Sequence, residues 1–580
     1  TNSYLAIIPF KEKIKERLTA LWDYEKVGAP FKEGDWFYFF KNDGLQNQSV
    51  LYRSRRIGGS AEVFFDPNKL SSDGTSSLGG YSFSEDGTYF AYAVSEGGSD
   101  WRTAYVMNVN NSERLDDTIE WIKFSSLSWQ GKGFFYSRYP SPFRDEELSG
   151  QNQYHKVYYH RLGTEQSEDK LIIEDKANPS RNFYATTTED ERYLIISPVE
   201  STSGNALYVM DLMTKDRKIR KVVDNFEHDF SVIDNDGESL LVLTNKNAPN
   251  KRLIRIRMSN YAEAFWEDVI PETMENMQSV SIVGGKMFAN YIHNASTRIA
   301  IFDLKGTYLR DLQLPGIGNC DGIRGKKLDR EGFFSFTSFT YPTTIFRLNA
   351  DKLTYDVYQN PSVDFRPDDF VTKQEWFTSK DGTKIPMFIT HKKGLRMDGS
   401  NPTLLYGYGG FNISLLPSFS LTRIPLLENG GIYVVANIRG GGEFGTAWHK
   451  SGTLDQKQNV FDDFQMAAEY LIEKKYTSSA KLAIEGGSNG GLLVGACLTQ
   501  RPDLYAVAFP SVGVLDMLRY HKFTIGWAWA GDYGKSDDPE EFEYLYKYSP
   551  LHNIKKADYP ATLITTADHD DRVVPAHSFK

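Results

Sequence analysis

The residues with the clearest chemical promise lie in Lys481–Cys497, KLAIEGGSNGGLLVGAC. A short apolar run, Leu482-Ala483-Ile484, leads into Gly486-Gly487-Ser488-Asn489-Gly490, and Leu492-Leu493-Val494 follows. The pattern predicts a strand, a sharp turn and a helix, with Ser488 at the apex of a G-x-S-x-G frame. Glycine at these places permits strained backbone angles and close approach of strand and helix. Such a turn lifts a hydroxyl clear of the backbone and aims the free N–H groups of a helix start at it. The alternative is an ordinary Gly/Ser turn, since both residues are common in loops.

A serine hydroxyl is a weak nucleophile without a base, usually histidine, and a carboxylate that orients the base. On a strand–turn–helix scaffold of this type the acid and then the base follow the serine along the chain. Downstream, Ala561–Thr566 is an apolar run that opens into Ala567-Asp568-His569-Asp570-Asp571-Arg572-Val573. Three aspartates there compete for the role of acid. A metal cluster from Asp568, His569, Asp570 and Asp571 is disfavoured, because adjacent side chains diverge and no remote ligand group accompanies them. His569 and His577 read as loop-packing residues rather than the base. The base is expected on a further loop beyond Lys580. Oxyanion stabilisation needs preorganised donors. The Asn489 backbone N–H is the first candidate, and Tyr406-Gly407-Tyr408-Gly409-Gly410-Phe411 offers a second through either tyrosine. Arg439-Gly440-Gly441-Gly442-Glu443 lacks the Gly-Lys-Ser/Thr ending of a phosphate loop and reads as a tight turn beside the site.

These groups need a scaffold. Leu404–Tyr408, Ile432–Asn437, Leu482–Ile484, Ala506–Phe509 and Ala561–Thr566 are short apolar strand candidates. Asn459–Lys474 is an amphipathic helix with Val460, Phe464, Ala467 and Leu471 on one face. Strands alternating with helices predict a mainly parallel, doubly wound sheet with its site at the strand C-termini. Upstream, Pro9–Trp22 reads as a helix with Phe10, Ile14, Leu18 and Leu21 on one face. Between Phe31 and Ser362 short Tyr/Phe/Val/Ile-rich runs alternate with turns. A turn followed by a strand recurs at Gly34, Gly87, Gly133, Glu191, Gly237, Gly285 and Gly332, at spacings of roughly 46 to 58 residues. One four-stranded blade per unit predicts a seven-bladed β-propeller rather than a pair of β-sandwiches. The expected division is 1–30, an N-terminal segment packing on the catalytic domain; 31–362, the propeller; and 363–580, the α/β domain with its last part absent.

The bulk properties exclude several classes. The chain has 580 residues, too many for one core, and a net charge of −10. That charge, with no long basic run, argues against nucleic acid. No apolar run reaches the ~20 residues of a membrane span. Cys320 and Cys497 are the two cysteines, far apart and without metal-ligand company, which fits a reducing compartment. No metal or cofactor is expected. The chain starts at Thr1 without methionine and stops after the acid loop, so both ends read as cut from a longer protein.

These residues resemble the prolyl oligopeptidase family of serine peptidases over essentially the whole chain. The matching stretches include SEDGTYFAYAVSEGGSDW, LLYGYGGFNIS, VANIRGGGEFG, GGSNGGLLVGA, GVLDMLRYHKFTIGWAWAGDYG and ADHDDRVVPAHS. The resemblance implies an α/β-hydrolase domain capped by a seven-bladed propeller. It implies Ser488 as nucleophile, Asp570 as acid, and Tyr408 beside the Asn489 N–H as oxyanion donors. Trp529 would stack on a substrate proline, with Tyr533, Phe411, Val514, Ile525 and Val573 completing the pocket and Arg572 holding a substrate carbonyl. Both Trp527 and Trp529 are available as stackers, and only the resemblance selects Trp529. A rigid ring without an N–H suits a flat aromatic pocket with few donors. The expected activity is cytoplasmic, monomeric cleavage of short proline-containing peptides after proline, the propeller acting as size filter. The 580-residue chain alone is expected to be inactive or nearly so. The rivals are a general carboxylesterase, which leaves the propeller unexplained, and a catalytically incomplete peptide-binding protein on the same scaffold.

Overall fold

Between Lys26 and Gln359 the chain forms short strands, each paired antiparallel with its neighbour. The computed structural model describes residues 1–143 and 146–580. Among them this region forms one five-stranded sheet, one eight-stranded sheet and four four-stranded sheets. The expectation of seven separate blades is therefore corrected. Five sheets, of four or five strands, stand as discrete blades. The remaining one runs unbroken from Ser76–Phe83 to Lys170–Ile173, and the units at Gly87 and Gly133 both lie in it. They are joined by the pairing of Ile122 with Arg138. The turn repeat could not reveal this, because it records where the chain reverses and not which edge strands pair across consecutive units.

Consecutive sheets bury apolar side chains against one another. Tyr38 and Leu51 of the first sheet pack with Phe90 and Tyr92 of the second. Tyr193 and Ile195 pack with Leu240 and Ile254, Leu241 with Met287, and Phe288 with Phe334. The first and last sheets meet through Glu33 and Lys326, 2.8 Å apart.

A buried charge cluster sits inside the eight-stranded sheet. His160 places Nε2 2.9 Å from Asp117 and Nδ1 2.7 Å from Asp169, with no solvent exposure. Burial opposes its charge, but the two carboxylates prevail and raise its pKa to about 9. A histidine raised above its unfolded value of about 6.5 contributes stability in full below that pH. The contribution is lost as pH rises through about 9. The expected outcome is that the native protein loses on the order of 3 kcal/mol more than His160→Gln between pH 6 and pH 9.5. Melting curves at the two pH values check this, and parallel losses would contradict it.

The α/β domain is built on a seven-stranded sheet. Its strands are β1 (Phe370–Thr378), β2 (Lys384–Lys392), β3 (Thr403–Tyr406), β4 (Ile432–Ala436), β5 (Leu482–Gly487), β6 (Val507–Ser511) and β7 (Ala561–Thr562). The order is β1-β2-β4-β3-β5-β6-β7; the pairs β1–β2 and β2–β4 are antiparallel and the others parallel. The first two strands form a hairpin around Asp381-Gly382. β7 is shorter than the apolar run predicts, although Thr565 still bridges to Ser511.

Three helices pack on this domain: α1 (Lys11–Trp22), α2 (Gln458–Glu473) and α3 (Asn489–Gln500). α2 and α3 bury Val460, Phe464, Ala467 and Leu471 with Leu492, Leu493 and Val494 on β3–β5. On α1, Leu21 is buried with Leu421, Ile424 and Leu427 of the α/β domain, and Arg17 lies 2.6 Å from Glu428. Phe10 and Ile14, read as part of the same apolar face, remain exposed. No helix among the described residues is long and apolar enough to cross a membrane.

Candidate active site

Ser488 joins β5 to α3 with φ 57° and ψ −118°. This is a region that side chains avoid, at a cost on the order of 1–3 kcal/mol. The surroundings hold it there. The Ser488 N–H donates to Ser511 O at 2.9 Å, and its carbonyl accepts from Gly491 and Leu492 N–H at 2.9 and 3.1 Å. The glycines are needed for contact: a Cβ on Gly486 would lie 2.3 Å from Gly490 O, and one on Gly491 2.5 Å from Gly513 Cα. The hydroxyl is thus carried on a rigid, half-buried apex at the C-terminal end of β5.

The loop after β3 crosses above this apex. A Cβ on Gly407 would strike Phe464 and Leu493, so only glycine lets the chain pass between α2 and α3. Tyr408 then sits beside the serine. Burial pushes its phenol up to about 12, opposed in part by a hydrogen bond with the Ser488 side chain. It is therefore a neutral O–H donor at physiological pH. Asn489 is buried at the start of α3, and its backbone N–H takes no acceptor among the described residues. Its side-chain Nδ2 donates to Tyr408 O at 2.6 Å, tying the two arms together. The Arg439–Glu443 turn packs against this loop: Gly440 O accepts from Asn412 N–H at 3.1 Å, and a Cβ on Gly440 would lie 2.6 Å from Gly409 O. Glu443 is fully buried there and accepts from Leu415 N–H at 2.8 Å, and burial raises its carboxyl to about 7.

The three aspartates of the loop after β7 occupy different environments. Asp568 is exposed and pairs with His569 at 2.9 Å. Asp571 is buried and forms an ion pair with Lys123 of the strand-rich domain at 2.7 Å, both partners being almost fully excluded from water. Asp570 is half-buried. Its Oδ1 accepts from Arg572 and Val573 N–H at 3.1 and 2.9 Å, and Oδ2 has no partner among the described residues. Burial raises its pKa, against these two N–H groups. A carboxylate held by one oxygen with the other open is suited to accept from an imidazole N–H. None of the ten histidines is hydrogen-bonded to Ser488. His449 pairs with Asp532, His521 with Asp537, His552 with Ser549 and His569 with Asp568. His577 accepts from Asp516 N–H, and burial lowers its pKa to about 4.

Beside the serine lies an aromatic cluster. Phe411 meets Tyr533 edge-on at 5.2 Å, Tyr533 meets Tyr520 at 5.3 Å, and Tyr520 stacks on Trp529 at 6.1 Å and 14°. Val514 and Val573 are buried in the same core. Ile525 is buried with Trp527, and Trp529 packs on both from a half-buried position. Trp527 donates to Asn152 O at 3.0 Å and so faces the strand-rich domain. A cavity of about 640 Å³ lies between the domains, lined by Phe226, His228, Asn412, His449 and Gly531 among others; Ser488 is not among them.

Several contributors had no signal in their own sequence surroundings. Asp532 accepts the Phe411 N–H at 2.7 Å, and Phe411 and Asn412 both have φ of 57°. Asp100 holds Arg572 through Nε at 2.8 Å and Nη2 at 2.6 Å. Lys123 reaches Asp571 from the other domain, and burial lowers its pKa against the attraction of that carboxylate. Removing one partner of a buried pair costs about 3–5 kcal/mol. Among the described residues no group of three or more His, Cys, Asp or Glu is placed to hold a metal ion.

Residues 1–361 match the family model described as the prolyl oligopeptidase N-terminal beta-propeller domain, and residues 417–580 match that of the prolyl oligopeptidase family. The chain belongs to the prolyl oligopeptidase family. The prolyl endopeptidase of Elizabethkingia miricola is 51% identical over 100% of this chain and 82% of the relative. Prolyl oligopeptidase A of Amanita bisporigera is 39% identical over 100% of this chain and 81% of its own length. Among solved structures of prolyl oligopeptidases, that of form B from Galerina marginata, bound to a 35-residue hydrolysis and macrocyclization substrate, superposes with a TM-score of 0.95. It is 38% identical and covers 100% of this chain and 85% of its own.

Proposed function

We propose that this protein is a serine endopeptidase that hydrolyses short peptides on the carboxyl side of proline through an acyl-enzyme at Ser488. In this reading Ser488 attacks the scissile carbonyl, and Asp570 orients the histidine base that takes its proton. The developing oxyanion is held by the Asn489 N–H and the Tyr408 hydroxyl. Trp529 stacks on the proline ring, Phe411, Tyr533, Val514, Ile525 and Val573 enclose it, and Arg572 uses Nη1, which has no partner among the described residues, to hold a substrate carbonyl. The division into residues 1–30, 31–362 and 363–580, with the middle part as size filter, belongs to the same proposal. So do a monomeric state and a cytoplasmic location.

The observation that carries the reading is the conjunction of a strained serine with a pocket of uncharged aromatic and aliphatic side chains. A basic substrate side chain needs a free carboxylate in its pocket. Asp532, beside Tyr533 in the chain, is already engaged by Phe411 N–H and His449. The prolyl endopeptidases at 51% identity and the peptide-bound relative point to the same substrate class.

The test is a comparison of kcat/KM for short blocked peptides that differ only at the cleaved residue, using the naturally produced protein. Proline is expected first, alanine next, and lysine or arginine far behind. Trp529→Ala is expected to lower kcat/KM for the proline peptide by about 10- to 100-fold, the loss of one buried aromatic contact. A preference for a basic residue, or a Trp529→Ala enzyme as active as the native one, would overturn the assignment.

A further inference from the structure

Lys457 stands immediately before α2 and is buried to 1% exposure. A cation there is unfavourable twice over. It loses its hydration, and it faces the positive end of a helix dipole. Buried ammonium groups are ordinarily paired, yet no carboxylate among the described residues lies within 4.0 Å of Nζ. Its contacts are instead two neutral oxygens, Gly409 O at 2.8 Å and Asn489 Oδ1 at 3.1 Å, and the face of the Tyr533 ring at 5.4 Å. Burial lowers its pKa to about 8, and the more distant Asp532 opposes this. It is still mostly charged at neutral pH.

The two oxygens belong to the residues that follow Tyr408 and Ser488 in the chain. We infer that Lys457 is a positioning residue for oxyanion stabilisation, holding the Tyr408 arm and the Asn489 arm in one rigid frame. The inference rests on the reading of those two groups as oxyanion donors. An ammonium donates only, so it fixes which way the Asn489 carboxamide points. Oδ1 is turned to Lys457 and to the Tyr533 hydroxyl, at 3.1 and 2.8 Å, and Nδ2 is thereby turned to Tyr408 O at 2.6 Å. Neither arm can then retreat without breaking a buried hydrogen bond. The charge adds a second effect. In a site shielded from water, a positive charge without an ion-pair partner favours the negative oxygen that forms only in the transition state.

The experiment compares Lys457→Met with the native enzyme on a short proline peptide, in the naturally produced protein. The expected result is a fall in kcat of about 10- to 100-fold with KM moved less than about 3-fold. Binding of a prolyl peptide aldehyde, whose adduct carries the tetrahedral oxygen, is expected to weaken by a similar factor. Binding of the corresponding carboxylate product is expected to stay within about 3-fold. A kcat within 2-fold of native, or equal losses for aldehyde and product, would overturn the inference. Lys457→Gln, which keeps a donor and loses the charge, is expected to fall between the two. Should neither variant fold, a crystal structure of the native protein with the aldehyde decides. The tetrahedral oxygen must lie on Asn489 N and the Tyr408 hydroxyl while Lys457 keeps both contacts; a structure without these contacts overturns the inference. Ser488→Ala separates the two levels. If it is inactive and Lys457→Met is not impaired, only this inference fails. If Ser488→Ala hydrolyses the peptide normally, the proposed function fails with it.

Discussion

Ser488→Ala is expected to lower kcat for a proline peptide by about 10⁶-fold while leaving peptide affinity within a few-fold. The size of the effect follows from what the elbow does. A serine held at φ 57° and ψ −118° is rigidly placed, so it meets the scissile carbonyl without a search of conformations. Alanine keeps that backbone and the pocket around Trp529, so binding survives. It removes the hydroxyl that, in the proposed mechanism, forms the acyl bond. Residual hydrolysis rests on the oxyanion donors and binding alone, and remains about 10³–10⁴-fold above the reaction in water. Single-turnover kinetics, together with equilibrium binding of an uncleaved peptide, separate the two quantities. A loss confined to KM would contradict the assignment.

Tyr408→Phe is expected to lower kcat by about 10²–10³-fold with little change in KM. The hydroxyl is removed and the ring kept, so packing against Gly490 is preserved. The phenol, pushed up to about 12, carries its proton at every pH where the enzyme is expected to work. The deficit of the variant is therefore expected to be constant across neutral and mildly alkaline pH. A deficit that shrinks toward pH 9 would mean that the native phenol is ionising and is not the donor. The ground-state carbonyl accepts weakly and the tetrahedral oxygen strongly, so the loss falls on kcat. An equal rise in KM would mean that Tyr408 merely holds substrate.

Those two residues lay within reach of sequence reasoning for different reasons. The elbow was legible because its glycines are spaced by a local steric need, and the structure shows the contacts that require them at Gly486 and Gly491. The Tyr406–Phe411 loop was legible as glycine-rich chain after an early strand, but the choice between its tyrosines rested on resemblance. The three aspartates of the β7 loop differ through partners remote in sequence. Asp571 meets Lys123, 448 residues away, and no local pattern encodes that encounter. The same holds for Asp100 on Arg572, 472 residues apart, and for Asp532 on the Phe411 backbone. Lys457 was hidden because a lysine at a helix start reads as a solvated charge. The helix itself was placed within a residue of its observed bounds, since 3.6-residue periodicity is a local property. The blade count failed for a complementary reason. Turn spacing marks units along the chain, whereas the Ile122–Arg138 pairing that merges two of them is decided by which strand edges meet.

The most direct measurement is covalent labelling of the naturally produced protein with a blocked dipeptide phosphonate ester carrying proline at the reacting position, followed by mass spectrometry of the digest. The account predicts a single adduct on Ser488, formed faster than with the matching arginine reagent and absent from Ser488→Ala. An adduct on another residue, or faster labelling by the arginine reagent, would contradict it.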